Sequence, residues 1–144
     1  MNKLLLILLC VPLIGLGQEH GCISGDCENG YGIFYFPDYL GLVDEYEGEF
    51  RNGLFHGLGT YIYADGDKYI GEFQNGNFHG KGIFTYLDIE TGEEYKYVGE
   101  FKDDKRKGVG TLIDSQNIII SYGIWEDTVL ISDVMHPSEI GSEE

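Results

Sequence analysis

Two stretches near the middle of the chain alternate between apolar and polar or small residues with a period of two. They cover residues 59–63 and 68–73, and an Asp-Gly dipeptide lies between them. Period-two alternation is typical of β-strands, and Asp-Gly is a common dipeptide in tight hairpin turns. The pattern therefore predicts a β-hairpin. In its second strand, Tyr69 and Phe73 lie on one face with Gly71 between them.

This hairpin is part of a longer phrase that occurs twice. The phrase YxGEFxNGxFHGxG begins at Tyr46 and again at Tyr69, 23 residues later. A period between about 20 and 50 residues indicates a chain built by stacking one supersecondary unit. We expect structural roles for the residues that recur in these copies and in weaker copies beside them: Gly48, Glu49, Gly53, His56, Gly57, Gly59, Gly71, Glu72, Gly76, His79, Gly80, Gly82, Gly99, Glu100, Gly108 and Gly110.

The phrase resembles the MORN repeat, whose pattern is YxGExxxGxxHGxGxxxxxDG, and Asp65-Gly66 supplies its closing dipeptide. The resemblance covers about four repeats between Asn29 and Trp125. It implies an all-β fold, an elongated single-layer antiparallel ribbon of repeated β-hairpins with about eight short strands. In that family the repeats serve as binding or spacing elements. The resemblance therefore implies an interaction or scaffold module and no chemistry.

The outer repeats depart from the phrase, as expected at the ends of a stack. The first repeat has extra residues at 40–43. The third has an excess at 88–94, which predicts a longer hairpin tip that is either a binding loop or a tolerated insertion. The fourth has Asp104 and Lys107 where the phrase has Gly and His, and we expect it to end near Trp125.

Residues 1–17 have the pattern of a secretory signal peptide. Lys3 precedes an apolar run, and small residues precede a cut between Gly17 and Gln18. The run is short and contains a proline, which makes a retained membrane anchor the weaker interpretation. Lipoprotein attachment at Cys22 is a further alternative. The leader predicts a secreted or periplasmic protein.

Removal of the leader leaves Cys22 and Cys27 as a pair. An even cysteine count in an exported domain favours a disulfide, which here would tie down the first strand. A redox pair or half of a metal site is the alternative, but the neighbourhood offers only His20 as a further ligand. The predicted organisation is a signal peptide at 1–17, an N-terminal cap at 18–28, a repeat ribbon at 29–125, and a C-terminal cap with an acidic tail at 126–144.

The chain is strongly acidic, with 25 acidic against 9 basic residues and a formal net charge of −16. Such a surface repels phosphate backbones and anionic headgroups, so we expect no nucleic-acid partner and we disfavour membrane lipid. The local exception is the basic cluster Lys102, Lys105, Arg106 and Lys107. We interpret it as a solvated turn, with an anchor for an acidic partner or a contact with the chain's own acidic surface as alternatives.

Glutamate and histidine recur in the repeats, which raises the question of acid–base or metal chemistry. Equivalent residues in successive repeats would lie about 9–10 Å apart, too far for His56 and His79 to share one zinc ion unaided. A catalytic site is needed once, whereas a structural role recurs in every repeat. We therefore expect no enzyme activity, metal or cofactor, with Glu accepting backbone hydrogen bonds in the turns and His packing beside Gly.

The aromatic residues supply the candidate binding surface. A glycine between two rings leaves space for a neighbouring ring to lie across the backbone, which accounts for Gly48, Gly71 and Gly99. A single-layer ribbon would expose many rings on one face, and large exposed apolar patches mark interaction sites. The predicted binding face consists of Tyr46, Phe50, Tyr61, Tyr69, Phe73, Phe84, Tyr97 and Phe101.

The predicted function is thus an exported, non-enzymatic interaction module or scaffold. Its partner would be another protein or a second copy of the chain. Binding of envelope lipid or of carbohydrate, with the rings as stacking platforms, is the alternative.

Overall fold

The structure is a computed structural model that describes residues 21–38 and 40–134. The predicted signal peptide and the end of the acidic tail lie outside these residues. The described part of the chain contains β-strands and no helix. The strands are β1 (Gly21–Gly25), β2 (Tyr31–Pro37), β3 (Val43–Arg51), β4 (Leu54–Ile62), β5 (Lys68–Gln74), β6 (Asn77–Leu87), β7 (Glu94–Lys102), β8 (Lys105–Asp114), β9 (Ile119–Glu126) and β10 (Val129–Asp133).

All of these strands belong to one antiparallel sheet whose spatial order is the order of the sequence. The predicted all-β, single-layer ribbon of successive hairpins is confirmed. The prediction of about eight strands is corrected to 10 strands within residues 21–134, residue 39 excepted. The two additional strands are β1 in the N-terminal cap and β10 after the last repeat. Each pairs with the outermost repeat strand beside it.

Tight turns join the strands inside each repeat. Asn52 and Gly53 have φ angles of 52° and 71°, and Asn75 and Gly76 have 52° and 90°. Two consecutive positive φ angles are typical of type I′ turns, whose twist matches that of the flanking strands. Asp104, which replaces the expected glycine of the fourth repeat, still has a φ of 66°. The turn geometry therefore persists where the repeat sequence has decayed.

A bulge interrupts β4, β6 and β8 at Gly57, Gly80 and Gly108, which have φ angles of 58°, 55° and 70°. The recurring glutamates fill these bulges. The Leu58 amide donates to Glu49 Oε1 at 3.1 Å, and the equivalent Lys81 amide donates to Glu72 Oε1 at 2.9 Å. The glutamates thus accept backbone hydrogen bonds in strand bulges rather than in the turns.

The middle of the sheet is crossed by an unbroken row of glycines in register from β2 to β9. Because these residues have no side chains, rings can lie directly on the backbone of the face that we call the inner face. The opposite side is the outer face. The row consists of Gly32, Gly48, Gly59, Gly71, Gly82, Gly99, Gly110 and Gly123.

Both ends of the ribbon are anchored. Cys22 and Cys27 form the predicted disulfide, with an S–S distance of 2.10 Å and a Cα–Cα distance of 5.9 Å. This bridge links β1 to the turn that precedes β2. At the other end, the indole Nε1 of Trp125 donates to the Gly110 carbonyl at 3.1 Å. Trp125 therefore covers the last part of the glycine row.

Candidate functional site

Three tyrosines on alternate strands are completely buried, although the sheet has one layer. Tyr46, Tyr69 and Tyr97 are each 0% exposed. The Tyr69 ring lies across Gly71 and Gly82, and its hydroxyl donates to the Glu72 carbonyl at 2.9 Å. The other two tyrosines repeat this arrangement over their own glycine pairs. Burial raises the pKa of the Tyr46 and Tyr69 hydroxyls above the usual value.

Neighbouring rings complete the burial of each tyrosine. Tyr46 stacks on Phe55 with ring centroids 3.8 Å apart, and Tyr69 stacks on Phe78 at the same distance. Phe73 and Tyr46 pack edge-to-face with ring centroids 4.9 Å apart, and this contact joins one repeat to the next. Such ring pairs add about 0.5–1.5 kcal/mol each beyond the burial of apolar area. The aromatic core consists of Tyr46, Phe50, Tyr69, Phe73, Phe78, Tyr97, Phe101 and Trp125.

This core corrects the expectation of an open binding face. Six of the eight predicted residues are buried in it, because the glycine row lets the tyrosine rings lie against the backbone and the phenylalanine rings pack edge-to-face on the tyrosines. The six are Tyr46, Phe50, Tyr69, Phe73, Tyr97 and Phe101. The other two, Tyr61 and Phe84, are only partly buried.

Tyr61 and Phe84 belong to a second, partly exposed set of rings beside the core. Successive centroids in this set are 6.3, 4.7, 6.2, 5.9 and 5.8 Å apart. The rings therefore form a continuous aromatic strip across the inner face from β2 to β7. The aromatic strip consists of Phe36, Tyr61, Tyr63, Phe84, Tyr86 and Tyr95.

Aspartates hold one border of the aromatic strip. Asp44 accepts a hydrogen bond from the Tyr61 hydroxyl at 2.8 Å and another from the Ala64 amide at 2.8 Å. Asp67 accepts from the Leu87 amide at 3.1 Å. The pKa of Tyr63 is raised to about 12, first by burial and then by the negative charges of nearby aspartates, of which Asp104 has the largest effect. The strip thus has a fixed, acidic border.

An arginine lies between the aromatic strip and the aromatic core, with its guanidinium 5.3 Å from the centroid of Tyr86 in the strip. Arg106 occupies the position at which the two preceding repeats have Phe55 and Phe78. Its guanidinium lies 4.9 Å from the centroid of Tyr97 and 5.3 Å from that of Trp125, distances at which cation–π attraction operates. The solvated-turn interpretation of the basic cluster is therefore wrong for Arg106, which is half-buried against rings.

The exposed lysines beside Arg106 contact acidic residues of the same chain. Lys105 Nζ lies 3.2 Å from Asp127, and Lys107 Nζ lies 3.6 Å from Glu126. This agrees with the alternative in which the basic cluster meets the chain's own acidic surface. Exposed ion pairs of this kind contribute little to stability.

The spacing of the glycine row, the tyrosines and the bulges is repeated along the chain, and the family comparison matches it. Four segments, residues 28–40, 46–68, 69–88 and 97–117, match the family model described as MORN repeat. Together they cover more than half of the 144 residues. This chain belongs to the MORN-repeat family. MORN repeats are in general non-enzymatic modules for protein or membrane interaction.

Curated relatives share the repeats but are much longer proteins. Alsin from Mus musculus is 30% identical over 110 residues, which is 76% of this chain and 7% of Alsin. Alsin from Homo sapiens is 29% identical over 110 residues, with the same coverage of each chain. The chain thus spans about 7% of the length of these relatives. The similarity supports a MORN-repeat interaction module.

Sequence reasoning about the MORN repeats missed four members of the aromatic strip: Phe36, Tyr63, Tyr86 and Tyr95. A usable signal was present for three of them. Period-two alternation places Tyr63 on the face of Tyr61, Tyr86 on the face of Phe84 and Tyr95 on the face of Tyr97. What the alternation did not separate was the buried rings from the exposed ones, since both kinds lie on the inner face.

Of the recurring residues of the MORN repeats, Glu49 and Glu72 accept backbone hydrogen bonds, whereas the histidines opposite them do not complete theirs. His56 and His79 lie opposite Glu49 and Glu72 at the bulges, and their Nδ1 atoms are buried without a hydrogen-bond partner among the described residues. Residues 21–38 and 40–134 contain no group of three or more His, Cys, Asp or Glu side chains arranged to hold a metal ion. The same residues contain no helix that could cross a membrane.

Proposed function

We propose that this MORN-repeat chain is an exported, non-enzymatic module that binds a protein partner through the aromatic strip. The observation that carries the proposal is the continuity of partly exposed rings across the inner face, with Phe36 37% exposed at one end. Interface cores are enriched in Tyr and Phe, which contribute large apolar areas at a low entropy cost. Three of the rings, Tyr61, Tyr63 and Phe84, pack against the aromatic core beside them, which orders the middle of the strip in the absence of a partner.

The shape and charge of the strip favour a protein segment over lipid. Five strand spacings separate β2 from β7, so the strip is about 24 Å long, which fits a short segment of a partner chain. Its border carries Asp44 and Asp67, and the whole chain has a net charge of −16. Both charges oppose anionic headgroups.

Export is supported by the leader pattern at residues 1–17 and by the paired cysteines, since disulfides persist in oxidising compartments. The full chain can be expressed in a bacterial host and its product analysed by intact mass after fractionation. We expect a periplasmic or secreted product that begins at Gln18. A full-length product that remains in the cytoplasm contradicts export.

Binding through the strip is tested with peptides selected from a displayed random library against the wild-type chain. Tyr63→Ala removes a ring from the centre of the strip, and Tyr31→Ala removes an exposed tyrosine from the outer face as the matched control. We expect Tyr63→Ala to weaken binding at least about tenfold, the effect of losing about 1.4 kcal/mol, and Tyr31→Ala to leave binding unchanged.

Both variants are first compared with the wild type by near-UV circular dichroism to show that the fold is intact. Equal affinities for the wild type and Tyr63→Ala contradict the proposal. Neutral or anionic liposomes and an oligosaccharide panel serve as further ligands. Binding of either that is stronger than peptide binding and is lost in Tyr63→Ala would assign the strip to lipid or to glycan instead.

A further inference from the structure

The register of the sheet sorts the basic residues by face. Outward positions alternate with the buried rings, so Lys68 and Lys96 flank one side of the outer face and Lys81 and Lys107 flank the other. Among the described lysines and arginines, Arg106 is the one on the inner face. Glu72 and Glu100 share this face, so four lysines and two glutamates surround the middle of the outer face in β5–β8.

Aliphatic side chains lie between these lysines. Ile70, Ile83 and Val98 are in register on three successive strands, and Val109 continues the apolar surface on the next. Ile70 is 45% exposed and Val109 is 48% exposed. A shallow cavity of about 370 Å³ lies among them. We define the outer patch as Ile70, Ile83, Val98, Val109, Lys68, Lys81, Lys96 and Lys107.

Two exposed acidic residues, Glu72 and Glu100, border the outer patch, and the carboxylate of each lies beside the glycine of a bulge. Glu72 accepts a hydrogen bond from the Lys81 amide at 2.9 Å, and the Glu100 carboxylate lies against Gly108 at the next bulge. In contrast, the Lys68, Lys81 and Lys96 amines have no ion pair in the described part of the chain. Around its apolar centre the patch thus presents three lysines without an ion pair in the described chain, and a fourth, Lys107, that is paired with Glu126.

We propose that the outer patch docks an acidic protein segment that carries aliphatic side chains. The backbone groups of β5–β8 are paired within the sheet, so the contact uses side chains from both partners. Aliphatic groups of the partner cover Ile83 and Val98, and its carboxylates reach the lysines on either side. This site is independent of the aromatic strip and of the proposed function.

The distance over which ionic interactions act distinguishes a protein segment from a membrane as the ligand of the patch. Ionic interactions are screened over about 8–10 Å at physiological salt, so a narrow segment experiences the lysines of the patch and little of the remaining charge. A bilayer with anionic lipids extends under the whole molecule and meets its net charge of −16 as well. The local basic patch therefore fits a narrow acidic ligand better than a broad acidic surface.

The probe is a fluorescent 12-residue peptide of alternating glutamate and valine, compared with the same peptide in which lysine replaces glutamate. Anisotropy titrations use the full chain. We expect the acidic peptide to bind, the basic peptide not to bind at the patch, and binding to weaken as salt rises from 50 to 500 mM. The double variant Lys81→Glu with Lys96→Glu should lose at least about tenfold in affinity.

Arg51→Glu is the matched control, because it reverses an exposed charge on the outer face at a distance from the patch. It should retain wild-type affinity, as should the strip variant Tyr63→Ala. An equal loss in Arg51→Glu shows a general charge effect and overturns the proposal. Loss in Tyr63→Ala places the peptide on the aromatic strip, and so also overturns it.

The same lysine variants test two other possible occupants of the patch, an anionic membrane and a second copy of the chain. If wild-type chain binds anionic liposomes and Lys81→Glu with Lys96→Glu abolishes that binding, the patch is a membrane surface. If light scattering gives a dimer that these substitutions dissociate, the patch is covered by a second copy. Either result overturns the acidic-segment proposal, whereas a monomer that ignores liposomes and binds the acidic peptide supports it.

Discussion

Tyr69 shows how a single-layer sheet can bury a side chain completely. Its ring lies on Gly71 and Gly82, and Phe78 stacks on the ring from the same face of the sheet. Its hydroxyl donates a hydrogen bond to the Glu72 carbonyl. Because the glycines have no side chains, the ring lies directly on the backbone and is buried without the second layer that usually covers a sheet. The pair Gly71 and Gly82 is therefore as much a part of the core as the ring that lies on it; we call such a pair the glycine seat.

The close packing at the glycine seat leads to a prediction for Gly71→Ala. A Cβ at this position would lie 2.6 Å from the Cα of Gly82, which belongs to the neighbouring strand and cannot move freely. We expect a loss of about 3 kcal/mol of unfolding free energy, measured by urea titration. Gly92→Ala is the control, because its Cβ meets open space and only its φ of 73° is strained. Equal losses of unfolding free energy in the two variants would contradict the claim that the glycine seat requires a residue without a side chain.

The buried and partly buried tyrosines also predict alkaline instability. Burial is the first cause that raises the pKa of Tyr63 and of Tyr97 to about 12. A tyrosine in the unfolded chain has a pKa of about 10, so the folded state favours the neutral hydroxyl. The stability from this difference is complete below pH 10 and is lost as the pH rises from about 10 to 12.

Tyrosinate absorbance and circular dichroism measured together across this pH range test the effect. We expect ionisation of the buried rings to coincide with unfolding. Tyr63→Phe should reduce the loss of stability above pH 10, since phenylalanine does not ionise. Ionisation of all tyrosines near pH 10 in a chain that stays folded would refute this account.

At the scale of the element, each hairpin combines a tight turn, a bulge and a glutamate that completes the bulge. The turn residues were readable in the sequence because Asn-Gly favours positive φ angles. The bulge was not, because an extra residue in one strand is defined only against its partner strand. Glu72 and Gly80 recur together for this reason: the carboxylate occupies the space beside the left-handed glycine.

The bulge predicts different effects for two substitutions of Glu72. Glu72→Ala removes the acceptor of the Lys81 amide and should destabilise the chain by about 1–2 kcal/mol. Glu72→Gln keeps an acceptor oxygen and should cost clearly less. Hydrogen exchange at the Lys81 amide should accelerate in Glu72→Ala alone. Equal exchange rates in the two variants would show that this hydrogen bond does not hold the bulge.

At the scale of the whole molecule, the ribbon behaves as a one-dimensional stack. Each strand packs chiefly against the strands next to it in sequence, and no second layer joins distant repeats in the described chain. In such architectures stability is approximately a sum of local and nearest-neighbour contributions. The ends have one neighbour each, so they should open first.

This predicts a gradient of amide hydrogen exchange along the ribbon. Protection should be highest in the strands around Tyr69 and Tyr97 and lowest in β10, while the disulfide limits opening of β1. Reduction of the bridge between Cys22 and Cys27 should then lower protection in β1 and leave Tyr69 unaffected. Uniform protection from β1 to β10, or a global loss on reduction, would contradict the one-dimensional picture.

The sequence by itself determined the repeat, the hairpins, the antiparallel ribbon and the cysteine pair. These depend on spacing along the chain, which turn dipeptides and period-two alternation report directly. Only the tertiary structure decided which rings are buried and which form the aromatic strip. Tyr46 and Tyr61 are neighbours in one cross-strand row, yet only Tyr46 is completely buried, because it lies over two glycines that come from different strands.

The tertiary structure also decided which charges meet. Lys81 and Lys96 are unremarkable in an acidic sequence, and Arg106 looked like part of a solvated turn. Strand pairing brings the two lysines to one face around Ile83 and sends Arg106 to the other, against rings. Alternation along a strand sets the face of each residue, but its neighbours on that face come from other strands, and their register exists only in the folded sheet.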